Sequence, residues 1–175
     1  WLRADDPTHA DFFLRTLMIP VILIAPTFLH FAAELTQWRM HGCFHALNYV
    51  LALGLSASVY TDWLASNGES FFVFPYWLHA GPLYAVHLLQ MLASAGLAHW
   101  LIFQAARRST GRVRYQLLWV FWSCLLGFLS AFTNYPGWYR VPIPPLLNGT
   151  VSLYVLGAVY AILRHEFLDI RVVIR

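Results

Sequence analysis

The stretch Phe12–Leu35, FFLRTLMIPVILIAPTFLHFAAEL, decides how the chain is read. Apart from Arg15 near its start and Glu34 near its end it carries no formal charge, and it is long enough to cross the hydrocarbon of a bilayer, which takes about 20 residues. Two prolines, Pro20 and Pro26, lie inside it. In water they would break a helix. In a membrane bundle neighbouring helices shelter the freed carbonyls, so a bent first helix is expected.

Outward from this run the pattern repeats. Apolar blocks at 43–64, 82–106, 117–133 and 146–163 are separated by short polar connections, giving five expected spans in one all-α, single-domain bundle over residues 1–175. Composition agrees: 59% of residues are hydrophobic, 17% aromatic and only 11% charged, against about a quarter charged in soluble domains. The lipid bilayer is therefore the first partner implied. A net charge of +3 does not point to nucleic acid, because the arginines sit in short connections rather than along a basic face.

Those arginines orient the bundle. Arg107, Arg108, Arg112 and Arg114 crowd the third connection, Arg39 lies in the first, and Arg164, Arg171 and Arg175 follow the last span. Positive residues accumulate in cytoplasmic loops, so the N-terminus is expected outside and the C-terminus, with segment 164–175, in the cytoplasm. The other side receives Asp5, Asp6, Asp11 and Glu69 with Arg3, Arg15 and Arg140. No secretory signal pattern opens the chain at Trp1, and a segment upstream is expected.

Two outer connections are dense in aromatic residues and proline: FFVFPYW at Phe71–Trp77 and NYPGWYRVPIPP at Asn134–Pro145. Tyrosine and tryptophan favour the headgroup level, so these form an aromatic belt, or, if the loops meet in space, an aromatic-lined mouth for an apolar or cationic ligand. Within the spans, His30 and Glu34 are four residues apart and share a helix face, a proton-responsive pair or a snorkelling acid bonded to Arg39. His41 and His45 have the same spacing but lack further metal ligands, and no metal site is expected. His87 and His99 on the third span are candidate axial ligands for a haem or chlorophyll-type ring, with hydrogen bonding across helices the alternative. Cys43 and Cys124, both in apolar stretches, read as free buried thiols. Asp62 anchors a helix end, and Asn148-Gly149-Thr150 opens a span, where a glycan does not fit. Small residues from Ala93 to Ala98, and Gly157 with Ala161, make seams for close helix packing.

Three further patterns, Pro26-Thr27-Phe28-Leu29-His30-Phe31, Gly81-Pro82-Leu83-Tyr84, and Tyr160-Ala161-Ile162-Leu163-Arg164 followed by Leu168-Asp169-Ile170-Arg171, carry a family resemblance. The sequence resembles the N-terminal seven-transmembrane sensor region of bacterial histidine kinases, aligning with its last five helices. The resemblance implies a sensing and signal-transmitting module of a two-component system in the bacterial cytoplasmic membrane, with two helices before Trp1 and an output region, kinase or cyclase, after Arg175. His30, Glu34, Trp77, Tyr84, Arg164 and Asp169 are then the candidate sensing or coupling residues. His165-Glu166-Phe167 is not read as a phosphoacceptor box, because Ile170 stands where that box has proline. With no nucleotide loop or catalytic constellation, no enzyme activity is assigned. A sensor is expected alone or as a homodimer. The competing reading is an accessory subunit of a respiratory or photosynthetic membrane complex, contacting other subunits, pigment or lipid.

Overall fold

A computed structural model describes residues 6–72 and 74–145, together with Leu147 and Leu156. The expected fifth span at 146–163 lies outside the described residues except at Leu147 and Leu156, and segment 164–175, with Arg164 and Asp169, lies wholly outside them.

The described part is mostly helical: α1 (Pro7–Leu35), α2 (Gly42–Ala57), a hairpin of β1 (Ala65–Phe71) and β2 (Phe74–Ala80), α3 (Tyr84–Arg108), α4 (Gly111–Phe132) and the single turn α5 (Tyr135–Trp138). Helix α1 starts where Asp6, in extended conformation, accepts a hydrogen bond from the Thr8 N–H at 3.0 Å while Pro7 occupies the first helical position. Its 29 residues continue through both prolines. Among the described residues three helices are long and apolar enough to cross a membrane: α1, α3, and α4 continued to Trp138.

Helix α2 is shorter than its apolar run. It ends at Ala57, not Leu64, because Ser58 turns back on the carbonyl of Leu55 and the chain enters a bend held by Arg15. Sixteen residues give a rod of roughly 24 Å. By contrast, α3 and α4 run past their apolar blocks into the arginine connection. Arg107 and Arg108 in the last turn of α3 favourably face its dipole, the break comes at the extended Ser109 and Thr110, and α4 begins at Gly111, whose φ of +58° lies in the left-handed region.

Helix α3 is the central element, packing against α1 on one side and α4 on the other. Toward the arginine end the contact is made by small residues: Ala32 and Ala33 of α1 share a core with Ala98 and Ala106 of α3, filled out by Leu29, Leu101 and Ile102. Small side chains let backbones approach and make van der Waals packing the source of cohesion where lipid competes equally for apolar surface. Between α2 and α3 the contact is polar. Gln90 donates to the carbonyl and the side-chain oxygen of Asn48 at 2.9 and 2.8 Å, and the Asn48 amide donates to Ser94 at 3.0 Å.

The antiparallel hairpin was not evident from hydropathy. It pairs Ala65 with Ala80, Ser66 with His79, Glu69 with Trp77 and Phe71 with Phe74, with irregularities on either side of Glu69. Two glycines permit it. A Cβ at Gly68 would overlap the Trp77 carbonyl, and one at Gly81 would overlap the carbonyls of Asp62 and Trp63.

Candidate functional site

The two aromatic connections meet. Trp77 of β2 lies 5.7 Å from Phe71, 4.9 Å from Phe74 and 6.5 Å from Trp138 of α5, ring centre to ring centre. Trp138 in turn stacks on Tyr84, at the start of α3, with centroids 4.6 Å apart and planes within 19°. Such offset contacts add to the area they bury. The close approach depends on Gly137: a Cβ there would stand 3.0 Å from Phe71 Cε1 and 3.1 Å from Trp77 Nε1. Below this aromatic layer Tyr135 donates its hydroxyl to the Met91 sulfur at 2.8 Å.

Under the layer is a cavity of about 730 Å³. One face of α1 lines it over several turns, including Leu14, Met18, Val21 and Phe28, and α4 contributes Cys124, Phe128 and Ala131. Tyr84 and Met91 of α3 and Trp77 and Trp138 close the outer end. Ile24 and Phe31 on its wall are 47% and 42% exposed, so among the described residues the cavity opens sideways between α1 and α4. Among the described residues no Asp, Glu, Arg, Lys or His lines it.

A polar clasp holds α1, the end of α2 and the hairpin together at this same end. Arg15, only 5% exposed, donates to Asp11 at 2.7 Å and to the carbonyls of Val59 and Thr61 at 3.0 and 3.2 Å. It also lies 3.5 Å from Asp62, which stands in the bend after α2 and not at the helix end expected for it. Tyr76 donates to Asp11 and accepts from the Gly68 N–H, both at 3.1 Å. Burial raises the Tyr76 phenol above its ordinary pKa. Farther out, Glu69 lies 3.3 Å from His79 and 3.8 Å from Arg140, tying the hairpin to the chain after α5.

Of the residues singled out from sequence, Trp77 and Tyr84 come together in the aromatic layer, joined through Trp138. His30 and Glu34 do not belong to it. They lie 3.9 Å apart lower on α1, both substantially exposed, and His30 stacks on His45 of α2 at 4.6 Å and approaches the Tyr49 hydroxyl at 3.3 Å. His99 is bonded through Nδ1 to the Ala95 carbonyl of its own helix at 2.7 Å and is enclosed by Phe28, Phe121 and Phe128. His87 is buried beside Tyr84 and Tyr135. Neither histidine is among the described residues that line the cavity. Among the described residues no group of three or more His, Cys, Asp or Glu could hold a metal ion. Cys124 is a free thiol on the cavity wall, and Cys43, expected to be buried, is exposed on α2.

Arg15 and Gly137 were missed as determinants. The i, i+4 spacing of Asp11 and Arg15 was a readable signal; the carbonyls that complete the clasp come from 44 and 46 residues further along.

These features define a multi-pass membrane bundle capped at one end by an aromatic layer. The family model for the N-terminal 7TM region of histidine kinase matches residues 2–171, and the chain belongs to that family. Comparison with curated proteins and with solved structures found no match.

Proposed function

We propose that this region senses at the aromatic end of the bundle and transmits to a cytoplasmic output region through the segment following α5. The observation that carries the reading is the meeting of the two aromatic connections over a cavity, within a chain matched along residues 2–171 to a histidine kinase input region. This reading sets the bundle in a bacterial cytoplasmic membrane, and the positive-inside rule supports having the hairpin outside and the arginine connection inside. Helices α1 and α4 both line the cavity and both pack on α3, so a change in the cavity acts on helix packing, the kind of small shift by which helical switches work. The family match favours this over an accessory subunit of a larger complex.

The test uses the full-length natural protein reconstituted in lipid. Its autophosphorylation, or cyclase output if that is the domain it carries, is compared with that of Trp138→Ala, which opens the aromatic layer. A change in basal output of at least about fivefold, the lower range of allosteric coupling, is expected. Unchanged output with an intact fold refutes the reading. Purification of a short native chain in fixed ratio with other membrane proteins would instead make it a subunit.

A further inference from the structure

We infer that Glu69, His79 and Arg140 form a proton-operated latch at the aromatic end: protonation of the His79 imidazole draws the Glu69 carboxylate off Arg140 and frees the segment after α5 from the hairpin. The inference rests on the sensory reading and deepens it by naming the stimulus, acidity on the hairpin side.

Strand geometry brings the three together. Glu69 of β1 pairs with Trp77 of β2, and Trp77 and His79, two positions apart, share one face, so Glu69 and His79 are diagonal neighbours. From Ser66 to Glu69 β1 takes three steps where β2 takes two, an extra residue of the kind that re-aims side chains. Oε1 of Glu69 lies 3.3 Å from Nε2 of His79 and 3.8 Å from Nε of Arg140. One carboxylate oxygen thus stands between an imidazole and a guanidinium.

Burial makes the trio responsive. The His79 side chain is 8% exposed and that of Arg140 67%. Neither ring nitrogen of His79 completes a hydrogen bond although both are buried, an uncommon state for polar atoms. While the imidazole is neutral, the single negative charge of Glu69 balances Arg140. A proton taken from solvent at a ring nitrogen adds one positive charge and makes both nitrogens donors. A buried cation depends on its counter-ion, whereas water already solvates Arg140, so Glu69 closes on Nε2 and the Arg140 contact opens. Histidine is the side chain whose ordinary charge change falls between about pH 5 and 8.

Among the described residues the other charged and titratable groups packed around the hairpin meet partners other than His79. Asp6 faces His9, Asp11 and Asp62 face Arg15, and Tyr76 donates to Asp11. Tyr135 donates to Met91, while His87 and Tyr139 lie against the Tyr84 ring. Release at Arg140 is also readily felt by the backbone. Its φ of +59° is in the left-handed region, which costs a residue bearing a side chain and persists only where the surroundings fix it. Beyond it Pro142, Pro144 and Pro145 make a stiff connector toward the expected last span.

The experiment is double electron-electron resonance on the full-length protein in phosphatidylcholine nanodiscs. Cys43, Cys124 and any further native cysteine are replaced by alanine, and spin labels are attached at Ser70→Cys on the hairpin and Ile143→Cys after α5, both exposed positions. From about pH 8 to about pH 5 the distance between labels should lengthen by at least about 2 Å, the size of helix shifts at switching interfaces. His79→Gln should keep the shorter distance throughout, and Arg140→Gln should show the longer one at both ends of the range. In proteoliposomes, acid on the hairpin side should change phosphorylation at least about fivefold, and should not do so in His79→Gln. A parent distance that ignores pH, a His79→Gln distance that follows it, or an Arg140→Gln distance that still lengthens with acid overturns the inference. Arg140 is exposed, so its variant decides alone should His79→Gln not fold. If phosphorylation answers Trp138→Ala but not acid, the inference falls and the sensory reading stands; if the distance follows pH through His79 while phosphorylation ignores both, the sensory reading falls and the latch stands.

Discussion

Replacing Arg15 tests whether one buried cation holds the aromatic end together. Its guanidinium makes two bonds to backbone carbonyls, Val59 at 3.0 Å and Thr61 at 3.2 Å, and one to Asp11 at 2.7 Å. Hydrogen bonds to charged groups contribute about 1.5–3 kcal/mol each, but the two carbonyls share one nitrogen, so their contributions do not simply add. The Asp62 contact, at 3.5 Å with a carboxylate 77% exposed, contributes about 0–1 kcal/mol. Arg15→Met keeps much of the stem packing but loses every polar contact and strands the Val59 carbonyl, while the Thr61 carbonyl keeps the Leu64 and Ala65 N–H groups and Asp11 keeps the Tyr76 hydroxyl, so a loss of about 1–3 kcal/mol is expected. Asp62→Asn should stay within about 0.5 kcal/mol of the parent. The assay is SDS titration of the full-length protein in mixed micelles, followed by tryptophan fluorescence, with Asp11→Asn closing a double-mutant cycle. Coupling between positions 11 and 15 of about 1–3 kcal/mol is expected. The reasoning is refuted if Arg15→Met unfolds within about 0.5 kcal/mol of the parent, or if Asp62→Asn costs as much.

Gly137→Val should push the rings of Phe71 and Trp77 away from α5, costing about 1–3 kcal/mol as overpacking does, and shift tryptophan emission to longer wavelength; an unchanged spectrum would mean that the loops do not meet. Asn48→Leu removes the bonds to Gln90 and Ser94 and should cost about 0.6–1.7 kcal/mol in the same titration, the range measured for hydrogen bonds between membrane helices. The Tyr76 phenol is raised from its ordinary value of 10.0 in the folded state, chiefly by burial, so its contribution is fully present below pH 10. Above that the unfolded chain ionises first and stability falls as pH rises toward the folded pKa. Tyr76→Phe should flatten that part of the stability profile, and an equally steep fall would assign it to another group.

The run from Phe12 to Leu35 sufficed to place the chain in a membrane, because hydrophobicity over a bilayer's thickness is a sum over neighbouring residues and needs no tertiary information. The long helices α1, α3 and α4 each overlap one of the apolar blocks at 12–35, 82–106 and 117–133. Helix ends were less legible. Hydropathy ignores the turn at Ser58 that stops α2 and the arginine-bearing turns that lengthen α3 and α4. The hairpin was hidden because Ala65–Phe71 reads ASNGESF, without β-branched residues or clean alternation; its strands form because Gly68 and Gly81 allow backbone to approach backbone.

Aromatic residues were visible as two clusters, but whether they formed a belt or a shared layer depended on the distance between loops some sixty residues apart, which only the packing of α4 against α3 decides. Arg15 illustrates the same division. Alone in sequence it interrupts an apolar helix; in the fold it is paired, because carbonyls of the bend after α2 come within hydrogen-bonding distance of its guanidinium. Local hydropathy and short motifs were enough for the solvent, the long helices and the family. Which polar and aromatic side chains meet depends on how the helices pack, since those contacts join residues that no local period relates.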